Sequence, residues 1–253
     1  MPDTADTQSF VKPFVYETLS TRAMHFTICE IQSRMQVLQP HALDLAYTRT
    51  MMAFLLFVPR PEALAMIGLG GGSLAKFYHR QLPDTRIEVV EINPHVIALR
   101  EQFQVPPDDA RFLVRRGDGA HFVRDAQDRL DVLLVDGFDH EGQPPALCSQ
   151  AFYDDCRNAL RPDGVLVVNL HTAHAEFQRH ASRLHRAFDG DVLLVGDRKC
   201  SNTIAFAGQR ALRGLAQPGA MRRPRSLARD AWDELRPAFA HVAATLQRQR
   251  DGG

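Results

Sequence analysis

Ala63-Leu64-Ala65-Met66-Ile67-Gly68-Leu69-Gly70-Gly71-Gly72-Ser73 runs from an apolar strand pattern directly into a cluster of glycines. A helix pattern follows at 73–82, and the next apolar run ends on a charge, Val89-Val90-Glu91. Glycine has no Cβ, so the backbone can come close to a ligand, and the start of a helix offers free N–H groups. A carboxylate about 20 residues farther on, at the tip of the second strand, is placed to accept two hydrogen bonds from a ribose diol. Glycine clusters also make ordinary tight turns. The strand before the cluster and the acid after it decide for a nucleotide-like ligand on a doubly wound α/β domain.

From Ala63 onward, strand and helix patterns alternate. Strands are predicted at 63–69, 86–91, 111–115, 130–136, 164–169, 191–196 and 202–206. Helices are predicted between them at 73–82, 94–103, 119–126, 148–160 and 173–188. Strict alternation implies a mostly parallel sheet covered by helices on both faces. The short polar loop Gly196 to Ser201 makes an antiparallel pair of the last two strands.

The flanks differ in character. Residues 1–12 read as a loose tail. Residues 13–60 read as a small antiparallel β unit, Phe14–Leu19, Met24–Ile28 and Ile31–Leu38, followed by a helix over Leu43–Phe57 that ends before Pro59 and Pro61. Residues 61–208 form the main domain. Residues 209–253 comprise a Pro-, Gly- and Arg-rich linker and an amphipathic helix, Leu227 to Gln249. A three-stranded unit is too small to be stable alone and leaves strand edges open, so a homodimer that buries it is expected.

Composition excludes several classes. The 253 residues carry 30 basic and 30 acidic side chains, so no long-range field steers the chain to nucleic acid. The longest apolar run, Met51 to Val58, is too short to cross a bilayer, and the polar N-terminus carries no secretory pattern. A cytoplasmic protein is expected. Cys29, Cys148, Cys156 and Cys200 form no C-x-x-C pair, and buried thiols in a reducing compartment are preferred to disulfides or zinc. No histidine spacing suggests a metal, although His171 and His174 follow the fifth strand close to the cleft.

In an open parallel sheet, ligands bind outside the carboxyl ends of the strands. The first strand delivers Gly68 and Gly70–Gly72, and the second Glu91. The third is followed by Gly117-Asp118-Gly119, and the fourth by Asp136-Gly137-Phe138-Asp139. Asp118 could cap the next helix and Asp139 could make a turn, but capping explains four such strand ends poorly. Nicotinamide enzymes need neither Gly-Asp-Gly nor the paired aspartates. An aspartate after the third strand suits a bare adenosine, which points to an S-adenosyl sulfonium.

With these motifs, the chain resembles the spermidine synthase (polyamine aminopropyltransferase) family. The likeness is carried by Ile67-Gly68-Leu69-Gly70-Gly71-Gly72, Val90-Glu91-Ile92-Asn93, Gly117-Asp118-Gly119 and Asp136-Gly137-Phe138-Asp139. The gate-like loop Gly142 to Leu147, with Phe152-Tyr153, adds to it. The resemblance implies a Rossmann-like, seven-stranded sheet of the S-adenosylmethionine-dependent transferase type, with the antiparallel unit at its N-terminus. It implies an enzyme of polyamine biosynthesis, moving an aminopropyl group to an amine by direct displacement. The donor, decarboxylated S-adenosylmethionine or S-adenosylmethionine, would rest on Gly68, Gly70, Gly71, Gly72, Ser73, Glu91, Asp118 and Gly119. Asp136 would be the catalytic acid group that prepares the amine, Asp139 and Tyr47 would contact the acceptor, and no metal would be required.

Three departures complicate this picture. The family's glycine motif continues with an aspartate that holds the donor's aminopropyl arm, where this chain has Ser73. Its tyrosine-histidine (or glutamine)-glutamate run is Tyr47-Thr48-Arg49 here, and its proline- and tyrosine-containing loop is reduced to Lys199-Cys200-Ser201-Asn202. Loss of the aspartate admits S-adenosylmethionine itself. A methyltransferase on this scaffold, or a non-catalytic nucleoside-binding relative, are therefore the alternatives.

Overall fold

The computed structural model describes residues 10–27, 31–138, 142–196, 202–213, 223–225 and 227–252. Asp139, His140, Lys199, Cys29 and Cys200 lie outside them. Among the described residues, ten strands form two sheets. Strands β1 (Phe14–Glu17), β2 (Thr21–His25) and β3 (Ile31–Gln36) make an antiparallel sheet in sequential order. The remaining seven are β4 (Ala63–Ile67), β5 (Arg86–Glu91), β6 (Phe112–Arg116), β7 (Leu130–Val135), β8 (Leu160–His171), β9 (Val192–Gly196) and β10 (Asn202–Ala207). They lie in the order β6-β5-β4-β7-β8-β10-β9, parallel except for β10, which runs against both its neighbours.

Period-2 patterning divides the core in two. Leu64, Met66, Val132, Leu134, Val165 and Val167 face one side of the sheet; Ala65, Ile67, Leu133, Val135, Leu166 and Val168 face the other. The first side is covered by helix α2 (Ser73–Gln81) and by α7 (Arg229–Asp251), whose buried residues Ala231, Leu235, Phe239, Val242 and Leu246 recur at helical spacing. The second is covered by α4 (Gly119–Asp125), α5 (Gln150–Ala159) and α6 (Phe177–Ala187).

Two predicted helices are shorter than their patterns. Leu43–Phe57 divides into α1 (Ala46–Met51) and a 3₁₀ segment, Met52–Leu56. Met51 to Leu55 are all at most 1% exposed, so this stretch has no solvent face to give it amphipathic helical character. The pattern at 94–103 is regular helix only as α3 (Pro94–Ile97); irregular turns continue to Gln104, whose φ of 55° ends the run. The expected loose tail is tied at its end, where the Val11 carbonyl accepts the Asn93 side-chain amide at 2.9 Å.

The N-terminal sheet is seated on the glycine loop. Met24 and Met35 enter the core, and the Arg22 guanidinium donates to the Gln102 carbonyl. Lys76, on α2, is fully buried at this junction, donating to the Phe103 carbonyl at 2.8 Å and reaching Met35 Sδ at 3.0 Å. Burial, helped by repulsion from Arg22, pushes its pKa down to about 8 from 10.5. Between those values the unfolded chain holds a proton that the folded chain does not, so this group makes stability rise with pH across that window. At about 1.4 kcal/mol per pKa unit the difference amounts to roughly 3 kcal/mol. Lys76→Met is therefore expected to flatten the pH dependence, and its stability relative to the parent should fall by about that amount from pH 7 to pH 10.5. Chemical denaturation at both pH values measures this, and parallel curves for the two proteins would contradict it.

Candidate active site

The carboxyl ends of β4, β5, β6 and β7 open into a cavity of about 770 Å³. One wall is made by the N-terminal sheet, through Met24, Phe26, Ile31 and Ser33, and by Phe10 and Val11 before it. Gly68, Gly70, Ser73, Glu91, Asp118, Gly119, Asp136 and Tyr47 all line this space. Gly71 and Gly72 do not: a Cβ on Gly71 would lie 2.6 Å from Ser33 Oγ, and one on Gly72 2.3 Å from Val105 Cγ2. Those two glycines pack against protein. Gly68 also serves packing, since its φ is +92° and a Cβ there would lie 2.4 Å from the Asp136 carbonyl oxygen. It brings the β4 turn against the end of β7.

Glu91 ends β5 at 8% exposure. Its Oε2 accepts the Leu69 N–H at 2.9 Å and its Oε1 the Asn93 N–H at 2.8 Å, so it also fixes the glycine loop. Burial raises its pKa, while the N–H groups of Asn93, Leu69, Ile92 and Gly70 pull it down; burial prevails. Asp118 is a helix cap that also borders the cavity: its Oδ1 accepts from Ala120 and His121 at the start of α4.

Asp136 follows β7 directly. Its Oδ2 accepts the Tyr47 hydroxyl at 3.1 Å and its Oδ1 the Asn169 amide at 2.9 Å. Surrounding protein desolvates the carboxylate and raises its pKa; the Asn169 and Tyr47 donors oppose the rise without cancelling it. Tyr47 is itself held well above the ordinary phenol range by burial and by the Asp136 charge, so it remains a donor. Asn169 and Asn202 both line the cavity, as do His171 and His174. Asn169 belongs to no motif and was marked only by its place near a strand end, whereas Asn202 closes the reduced loop Lys199-Cys200-Ser201-Asn202.

Arg49 turns away from the cavity, its guanidinium donating to the Leu43 and Asp44 carbonyls. Among the described lining residues are three carboxylates and no lysine or arginine. Among the described residues, no group of three or more His, Cys, Asp or Glu side chains is arranged to hold a metal, and no helix is long and apolar enough to cross a membrane.

The spermine/spermidine synthase domain model matches residues 44–187. A polyamine aminopropyltransferase of Neisseria meningitidis is 39% identical over 197 residues, which cover 77% of this chain and 75% of that protein. Among solved structures, a probable spermidine synthase from Corynebacterium glutamicum superposes with a TM-score of 0.68 at 18% identity, over 78% of this chain and 76% of that one. Human methyltransferase-like protein 13, in complex with SAH, superposes with a TM-score of 0.60 at 23% identity, over 80% and 93% of the two chains. The two superpositions show the fold, and the sequence matches go further: the chain belongs to the spermine/spermidine synthase family.

Proposed function

We propose that this chain is an aminopropyltransferase that moves a propylamine group from decarboxylated S-adenosylmethionine to a polyamine. The observation that carries the reading is the charge of the cavity: Glu91, Asp118 and Asp136 face it, with no described lysine or arginine among its lining. A sulfonium with an ammonium arm and a protonated amine are both cations, and each finds carboxylates here rather than opposing charge. The family membership and the relatives' activity support the same conclusion.

In this reading Glu91 takes the ribose hydroxyls and Asp118 the adenine amine. Gly68, Gly70 and Gly119 line the space where the nucleoside would lie against the strand ends, with Gly119 also packed against Ile67, whose Cγ2 a Cβ there would meet at 2.3 Å. Asp136 receives a proton from the acceptor ammonium, whose nitrogen then has a lone pair. That nitrogen attacks the propyl carbon attached to sulfur; the C–N bond forms as the C–S bond breaks, and the electron pair returns to sulfur as a neutral thioether. Tyr47 steadies the carboxylate, and Asp139 would hold the cationic acceptor. Asp136→Asn removes the proton acceptor but little of the nucleoside site. It is expected to abolish transfer and leave methylthioadenosine binding nearly intact; unchanged turnover would remove Asp136 from the mechanism.

One observation favours S-adenosylmethionine as donor. Ser73 lines the cavity where the resemblance expects an aspartate, so a donor carboxylate meets less repulsion, by about 1–4 kcal/mol. The same walls offer no lysine or arginine to hold that carboxylate, and the decarboxylated donor remains the better fit. Ser73→Asp is expected to raise the preference for the decarboxylated donor over S-adenosylmethionine by about tenfold. Competition binding measures the ratio, and an unchanged ratio would place Ser73 away from the donor arm.

We further propose a cytoplasmic homodimer. Among the described residues, five of the eight exposed large apolar residues, Phe14, Tyr16, Leu19, Ile31 and Leu38, belong to the N-terminal unit, a sixth, Val11, precedes it, and the β1 edge of the unit pairs with no described strand. Sedimentation at micromolar concentration should give a dimer, and a monomer alone would contradict the assembly.

A further inference from the structure

Asn169 occupies a position where a strand of this kind normally carries an apolar residue. It is 3% exposed and lies in the run Val165-Leu166-Val167-Val168-Asn169-Leu170. Burying an amide is costly unless its hydrogen bonds are made. Here they are made in sequence: Asn202 Nδ2 donates to Asn169 Oδ1 at 2.9 Å, and Asn169 Nδ2 donates to Asp136 Oδ1 at 2.9 Å.

Charge sets the direction of this chain of bonds. A carboxylate only accepts, so Asn169 must present its NH₂ to Asp136, which turns its carbonyl toward Asn202 and obliges Asn202 to donate. Topology brings the three together from distant sequence. Val135 on β7 pairs with Val168 on β8, so Asp136 and Asn169 are the next residues on neighbouring parallel strands. Because β10 runs antiparallel, its first residue, Asn202, arrives at the same rim, opposite His171.

We propose that Asn169 and Asn202 form a positioning relay that fixes the orientation of the Asp136 carboxylate toward the acceptor amine, Asn169 directly and Asn202 through Asn169. The proposal rests on the transferase reading for its purpose, though not for its geometry. Tyr47 holds the other oxygen, so two donors define the carboxylate plane and leave its remaining lone pairs to the cavity. The other titratable groups around it are Tyr47 on α1, Tyr78 on α2, Glu91 at the end of β5, Asp118 before α4, and His171 and His174 at and beyond the end of β8.

The test joins kinetics with direct titration of the carboxylate. In Asn169→Leu, kcat is expected to fall about 10- to 100-fold, with the donor KM little changed. The acid limb of the pH–rate profile should move upward by about one pH unit, because the lost donor had favoured the ionised form. The Asp136 resonance in protein labelled with ¹³C-carboxyl aspartate, assigned by its disappearance in Asp136→Asn, should titrate upward by the same amount. Asn202→Ala lies at the partly exposed rim, leaves Asn169 in place and should give both shifts in smaller measure; it serves if the leucine variant does not fold. If the resonance shifts while the parent protein transfers no group to any amine, the relay stands and the transferase reading falls. If neither the resonance nor the acid limb moves in a folded variant, the relay is overturned.

Discussion

A carboxylate taken out of bulk water with no cationic side chain beside it is an expensive thing for a fold to keep. Among the described residues, Asp136 is such a group. Its two hydrogen-bond donors, the Tyr47 hydroxyl and the Asn169 amide, are neutral. They offset part of the desolvation but leave the charge uncompensated, and the pKa is raised accordingly. In the proposed reaction, the cationic donor and acceptor supply the compensating positive charge. Glu91 and Asp118 extend the same condition along the rim, and Arg49, the cation nearest in sequence to Tyr47, is anchored to backbone carbonyls instead.

The fold holds this arrangement through constraints of different reach. Locally, Gly68 lets the β4 turn close on the backbone of Asp136, and Glu91 binds the N–H groups of the glycine loop. At longer range, the antiparallel β10 returns its first residue to the carboxyl rim, where an all-parallel sheet would have placed its last. The N-terminal sheet then closes the remaining side. It packs on the loop glycines through Ser33 and on the core through Met24 and Met35, and the buried Lys76 lies at that junction.

Much of this was legible in the chain. All seven strands of the main sheet fall where they were predicted, the central ones because strands buried on both faces are marked by composition alone. Asp136, Glu91 and Asp118 were found because each ends or follows a strand, where open α/β sheets bind ligands. The roles of Gly71 and Gly72 were not legible. A glycine needed for packing against Ser33 or Val105 looks the same in sequence as one needed for a ligand. The pairing of Asn169 with Asn202 escaped for another reason: it depends on the reversal of β10 and joins residues 33 apart. The helix over Leu43–Phe57 was overextended because tertiary burial on every side overrides a periodic pattern.

A rim whose described residues are anionic with no lysine or arginine should select the more positively charged donor. Calorimetric titration of the parent protein with decarboxylated S-adenosylmethionine and with S-adenosylmethionine, at the same pH and ionic strength, tests it most directly. The decarboxylated compound should bind about tenfold more tightly, and the margin should narrow as salt is added. Equal binding, or tighter binding of S-adenosylmethionine, would contradict the account.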